Sequence, residues 1–235
     1  MRTKDLVAIK DLHIDEVFEI FEESRRIKDY TKKGIPFRPL EGKSLGMLFS
    51  KSSTRTRVSF EVGMYQLGGY PMYLDIKKNL QMGRGETVHD TAKVLSRYLD
   101  GIMIRTFAHD DVVQLAKHAS IPVINGLTDL FHPCQILADI FTLTEKYRII
   151  GGLTVAFVGD GNNVANSWLF GAAKTGINLN IVTPKGYECD AKLLEEAREI
   201  GKATGSAIKT FNDPTDGVKG VDVIYTDVWA CLLYT

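Results

Sequence analysis

Short apolar runs alternate with amphipathic stretches along almost the whole of this chain, and that alternation restricts its fold more than any other feature. Residues 44–49, 70–74, 101–106 and 121–125 read as strands in the first half, and 153–158, 179–183, 207–211 and 221–225 in the second. Between them, 14–27, 58–67, 87–99, 109–119, 136–147, 165–175 and 191–203 carry apolar residues at helical spacing. A strand followed by a helix and another strand is the pattern of parallel pairing with crossover connections. The expected class is therefore α/β, with two doubly wound domains, each a parallel sheet flanked by helices. Gly151-Gly152 interrupts the pattern, so the expected domains are 1–149 and 150–235, the second incomplete.

In such sheets ligands gather outside the carboxyl ends of the strands. At the first of these ends stands Phe49-Ser50-Lys51-Ser52-Ser53-Thr54-Arg55-Thr56-Arg57, a strand end turning into a helix start. The hydroxyls of Ser53, Thr54 and Thr56 suit a helix cap, where free backbone N–H groups and the macrodipole already favour an anion. Arg55 and Arg57 add cationic donors, so a phosphate is the natural guest. Arg105 closes another strand, and His132-Pro133-Cys134-Gln135 leads into the helix 136–147, with the proline favoured at such a helix start and His132 just before it. Arginine bridges a phosphate and a carbonyl oxygen, histidine donates to that oxygen as it becomes an oxyanion, and glutamine holds a neighbouring amide. Together they describe an acyl phosphate site.

Charge restricts the partners. Lysine plus arginine balances aspartate plus glutamate at 29 each, which favours neither nucleic acid nor an anionic membrane. No apolar run approaches the roughly 20 residues of a membrane span, and no leader precedes the first helix, so a cytoplasmic protein is expected. Cys134, Cys189 and Cys231 lack a C-x-x-C pair, against both a disulfide framework and a zinc site. His109-Asp110-Asp111 reads as a helix start rather than a metal site, and His13, His89 and His118 as surface residues. Gly159-Asp160-Gly161 lacks the third glycine of a dinucleotide fingerprint, the position being Val164, so no nicotinamide site is expected. Asn162, Asn163 and Asn166 at that turn suit a polar small molecule. The segment 75–86 has no periodicity and reads as a mobile loop.

Ser53-Thr54-Arg55-Thr56-Arg57, Met103-Ile104-Arg105-Thr106 and Phe131-His132-Pro133-Cys134-Gln135 resemble, in order and spacing, the carbamoyl phosphate motifs of the aspartate and ornithine carbamoyltransferase family. The resemblance implies that Ser53, Thr54, Arg55 and Thr56 hold the phosphate, and that Arg105, His132 and Gln135 hold and polarise the carbamoyl group. It further implies that Gln81 reaches a neighbouring subunit's site in a homotrimer or higher oligomer. Arg57 has a nearer partner in Glu61, four residues on. Asn162-Asn163-Val164-Ala165-Asn166-Ser167 and Thr226-Asp227-Val228-Trp229 resemble the ornithine branch, where Asn166 and Asp227 grip the α-amino acid end. The lysine that the aspartate branch carries in the loop before Gly85-Glu86 is missing here.

The implied reaction is transfer of the carbamoyl group to the δ-amino group of L-ornithine, giving citrulline and phosphate, a step of arginine-biosynthesis or urea-cycle type. No cofactor or metal is implied. The alternatives are a carbamoyl phosphate-binding remnant without catalysis, or transfer to putrescine, N-acylornithine or aspartate. After Trp229 the chain reads Ala230-Cys231-Leu232-Leu233-Tyr234-Thr235, without the family's Ser-Met-Gly loop, later His-Cys-Leu-Pro segment or C-terminal helix. The expectation is weak carbamoyl phosphate binding with little ornithine carbamoylation.

Overall fold

A computed structural model describes residues 2–80 and 85–227 of the 235. The chain divides into two compact units, Met1–Asp129 and Leu130–Thr235, each with its own sheet.

The first unit runs α1 (Ile14–Lys33), β1 (Ser44–Phe49), α2 (Thr54–Gln66), β2 (Tyr70–Asp75), α3 (Ile76–Asn79), α4 (Val88–Tyr98), β3 (Gly101–Arg105), α5 (His109–His118) and β4 (Val123–Leu127). Its strands are all parallel, in the order β2-β1-β3-β4. Strand parity sorts the core into two layers. Leu48, Ile102 and Ile104 pack with Leu99, Val112, Leu115 and Ala116, while Met47, Phe49 and Met103 pack with Met64 and Phe60 of α2. Successive side chains of a strand point to opposite faces, so a continuous apolar strand needs helices on both sides. The sequence puts Val58, Val62 and Tyr65 on one face of α2; that face is exposed, Tyr65 by 78%, and the opposite face meets the sheet.

Three local features depart from the sequence reading. The stretch read as structureless after 75 begins with the four-residue α3, capped by Asp75, whose carboxylate accepts from the N–H groups of Lys77 and Lys78. β4 starts and ends two residues later than expected, and its pairing with β3 carries a bulge after Ile104. Gly126 occupies the extra position, where a Cβ would fall 2.6 Å from Met103 Sδ. The N-terminal segment, to which no element was assigned, bridges Leu6 to Ile124 in parallel and hangs on Asn125, whose side-chain amide donates to the Val7 carbonyl at 2.9 Å. His89 and His118 are also more than isolated surface residues. Their rings meet edge to face with centroids 4.6 Å apart, and His89 Nδ1 lies 3.0 Å from an Asp90 oxygen.

His13 is the N-cap of α1 by its backbone alone: the side chain makes no cap hydrogen bond. Glu16 closes the helix start instead. Its carboxylate, 1% exposed as a residue, accepts from the Thr3 hydroxyl, from the Thr3 N–H at 2.8 Å, from the His13 N–H at 3.0 Å and from the Arg2 N–H. These bonds, Thr3's first, pull its pKa from 4.5 down to about 2. A depressed carboxyl stabilises the fold above the unfolded-state pKa and loses that contribution as pH falls through the folded value. Glu16→Gln is therefore expected to lower the melting temperature at pH 7, with the gap to wild type shrinking from about pH 4.5 towards pH 2. A gap independent of pH in thermal melts would refute this.

The second unit runs α6 (Pro133–Lys146), β5 (Thr154–Val158), α7 (Asn163–Thr175), β6 (Asn178–Val182), α8 (Ala191–Gly201), β7 (Ile208–Phe211), α9 (Pro214–Gly217) and β8 (Val223–Thr226). Its sheet is again parallel, ordered β7-β6-β5-β8. α7 is buried from Val164 to Thr175, which matches a helix that is apolar nearly all round. Gly161 opens the turn into α7. A Cβ there would come 2.4 Å from the Cys189 nitrogen, so its glycine serves the close approach of the 184–190 loop rather than a nucleotide. Among the described residues no helix is long and apolar enough to cross a membrane.

Candidate functional site

In the first unit the register of β1 against β3 sets Phe49 beside Arg105, so the turn into α2 and the end of β3 emerge side by side. Ser53 is the N-cap of α2: its Oγ accepts the Thr56 N–H at 3.3 Å while its hydroxyl donates to Thr56 Oγ1 at 3.1 Å. Arg105 Nη1 also donates to Thr56 Oγ1, at 3.1 Å. A hydroxyl oxygen that accepts twice keeps its own proton as a donor. Thr56 therefore has a hydroxyl proton still to give at the helix start, next to N–H groups that the helix cannot satisfy.

Arg105 is half-buried, and its buried Nε has no hydrogen-bond partner among the described residues. Burial first, and then the positive charge of Arg55, lowers its pKa. Arg55 is exposed, and neither arginine has a carboxylate at ion-pair distance among the described residues. Two guanidiniums without a carboxylate at ion-pair distance, beside a helix N-terminus, are an arrangement that can hold an anion. Arg57 takes no part in it: Nε donates to Glu61 at 2.9 Å, and the guanidinium lies 4.1 Å from the centre of the Tyr73 ring. Thr54 opens α2 and is exposed; Gln81 lies outside the described residues.

In the second unit His132 is the N-cap of α6, with Pro133 in the first turn. Its backbone N–H donates to Ser167 Oγ at 2.8 Å, and Phe131 stacks edge to face on Phe170, which ties the helix start to α7. Cys134 is partly exposed as a residue, but burial pushes its thiol up to about 12, far from a nucleophilic thiolate. Gln135 lies exposed on the first turn, and its amide Nε2 donates to both oxygens of Asp139, at 3.0 and 3.2 Å.

Asn162 caps α7, its Oδ1 accepting from the N–H groups of Val164 and Ala165, and its Nδ2 donates to Asp227 Oδ2 at 3.1 Å. Asn166, by contrast, is 5% exposed and donates to the Leu130 carbonyl at 3.3 Å; its Oδ1 has no partner among the described residues. Two residues at this end escaped the sequence reading. Tyr225 Oη donates to Asp139 Oδ2 at 3.0 Å, and burial raises the pKa of Asp139, with the Asp227 charge acting in the same direction. The spacing of Gln135 and Asp139, four apart on a helix, was the available signal. Among the described residues no group of three or more His, Cys, Asp or Glu could hold a metal.

Comparison with known proteins also gives two parts, divided between residues 145 and 151. The carbamoyl-P binding domain of the aspartate/ornithine carbamoyltransferases matches residues 4–145, and their Asp/Orn binding domain matches residues 151–232. An ornithine carbamoyltransferase of Oceanobacillus iheyensis is 52% identical over 232 residues, covering 99% of this chain and 72% of the relative. One from Thermococcus kodakarensis is 51% identical over 229 residues, covering 97% and 72%. Among solved structures, ornithine carbamoyltransferase from Pyrococcus furiosus superposes with a TM-score of 0.94 at 50% identity, covering 97% of this chain and 72% of that one. The Gloeobacter violaceus structure gives 0.86 at 42% identity, covering 97% and 75%.

Proposed function

The chain belongs to the aspartate/ornithine carbamoyltransferase family, and from that premise we propose that it transfers the carbamoyl group of carbamoyl phosphate to the δ-amino group of L-ornithine, giving citrulline and phosphate. The observation that carries the first substrate is the pair of guanidiniums, Arg55 and Arg105, left without a carboxylate beside the α2 N-terminus. Ser53, Thr54, Arg55 and Thr56 hold the phosphate. Arg105, His132 and Gln135 hold the carbamoyl group. Ornithine as acceptor is supported by the 52% and 51% identical relatives, whose names specify it, and by the carboxylate of Asp227 held by Asn162, which suits an α-ammonium.

The δ-ammonium first loses a proton. The neutral amine then attacks the carbamoyl carbon, and the carbonyl electron pair moves onto oxygen. When the carbonyl re-forms, the C–O bond to phosphate breaks and the nitrogen releases a second proton. Arg105 and His132 stabilise the oxyanion, and the helix N-terminus and Arg55 the leaving phosphate, in positions fixed before reaction. Neither a covalent enzyme intermediate nor a cofactor is needed, and the raised Cys134 thiol suits a packing role.

A homotrimer belongs to the same proposal. Its support is the exposed apolar face of Val58, Val62 and Tyr65, continued by Tyr70 and Met72 on the edge strand β2. A cytoplasmic setting belongs to the same proposal. The expectation of weakened ornithine use concerns 228–235, outside the described residues. The purified protein, given carbamoyl phosphate with ornithine, aspartate or putrescine in turn, is expected to form product with ornithine alone, and to sediment as a trimer. Faster carbamoylation of aspartate or putrescine would overturn the acceptor assignment.

A further inference from the structure

Asp139 stands four residues beyond Gln135 on α6 and receives three hydrogen-bond contacts. Two come from the single Gln135 amide nitrogen, at 3.0 and 3.2 Å, and one from the Tyr225 hydroxyl, at 3.0 Å. The Tyr225 ring is itself fixed, parallel to Phe157 at 5.8 Å between centroids and edge to face with Trp168 at 5.3 Å. A solvated glutamine on a first helical turn turns its amide either way at little cost. This one does not have that freedom. An ionised carboxylate only accepts, so the amide must give it the NH₂ end, and the carbonyl oxygen Oε1 is left facing outward. Burial raises the pKa of Asp139, and the bonds from the Tyr225 hydroxyl and the amide act against that rise; the orientation itself stands on the geometry of the three contacts.

We propose that Asp139 is a positioning residue that fixes Gln135 with its carbonyl outward, making Gln135 an acceptor selective for the NH₂ of a carbamoyl group over the CH₃ of an acetyl group. The inference rests on the reading of Gln135 as a carbamoyl ligand and deepens it. Carbamoyl phosphate and acetyl phosphate have nearly the same shape and an identical phosphate. They differ in whether the group beside the carbonyl can donate a hydrogen bond. An outward amide NH₂ would face another donor in the first case and gain nothing. An outward carbonyl gains a bond with the first ligand and buries an unsatisfied acceptor with the second. A plain helix-surface pair between Gln135 and Asp139 would stabilise α6 and leave this discrimination alone.

The test is the ratio of affinities for carbamoyl phosphate and acetyl phosphate, measured by calorimetric titration, with inorganic phosphate as the control. Wild type is expected to favour carbamoyl phosphate by about tenfold or more. Asp139→Asn presents Gln135 with a donor and an acceptor alike, so the ratio should fall towards one while phosphate affinity holds. In a Gln135→Leu background, Asp139→Asn should make no further difference to the ratio. Tyr225→Phe keeps the ring packing and removes only the hydroxyl, so it should shift the ratio in the same direction by a smaller factor, and it serves if Asp139→Asn fails to fold. An unchanged ratio in the folded variant, or equal loss for all three ligands, overturns the role of Asp139. Failure of wild type to bind carbamoyl phosphate at all overturns the underlying functional reading, and this inference with it.

Discussion

Arg105→Met is expected to weaken carbamoyl phosphate binding by about 3 kcal/mol, roughly a hundredfold or more, without lowering the melting temperature of the ligand-free protein. The two halves of this expectation have one cause. Arg105 is a half-buried cation whose pKa is lowered by desolvation and then by Arg55, with no carboxylate at ion-pair distance among the described residues. A half-buried charge of this kind opposes folding, and its hydrogen bond to Thr56 offsets part of that. Methionine keeps the aliphatic bulk and removes both the desolvation and the repulsion. The ligand loses a charge-assisted donor and, with it, the group that holds the Thr56 hydroxyl in place. Arg55→Ala separates the two effects, because Arg55 is exposed and gives the fold little. It should lose about 2 kcal/mol of binding with an unaltered melt. Calorimetry and thermal melts on the same preparations decide the matter. A marked drop in melting temperature for Arg105→Met, at undiminished affinity, would make Arg105 a structural residue.

The sequence made the sheets legible because their central strands are apolar on both faces. Met47-Leu48-Phe49 and Ile102-Met103-Ile104 each feed two layers, and no amphipathic alternative fits such runs. The hydroxyl cap at Ser53 was legible for a local reason: its bonds span three residues. What stayed hidden depends on partners distant in sequence. The end of β4 is hidden because Asn125 is spent on the N-terminal segment and Gly126 on a bulge. The capping role of Glu16 needs Arg2 and Thr3, and the tie between His89 and His118 needs α4 beside α5. Asp139 carried a visible four-residue spacing from Gln135, but its meaning comes from Tyr225, 86 positions away. A family resemblance names residues that meet substrate. It does not name the ones that decide which way those residues face.

His132→Asn is expected to lower turnover by about two orders of magnitude while changing carbamoyl phosphate affinity much less. In the bound ground state the carbonyl oxygen carries only a partial charge, and a neutral donor gains little there. As the tetrahedral intermediate forms, that oxygen takes a full electron pair, and each donor aimed at it strengthens. The substitution is chosen to leave the helix intact. His132 occupies the N-cap of α6, where its own side chain makes no cap hydrogen bond. Asparagine is among the best residues for that position, where a side-chain oxygen can accept from the second or third N–H of the helix. The backbone N–H that donates to Ser167 at 2.8 Å is untouched by the change. Stability should therefore hold or rise, so that lost turnover reads as lost chemistry rather than lost fold. Steady-state kinetics at saturating ornithine, beside titration with carbamoyl phosphate alone, separates the two quantities. Equal losses in both would assign His132 to ground-state binding, and an unchanged turnover would remove it from the reaction.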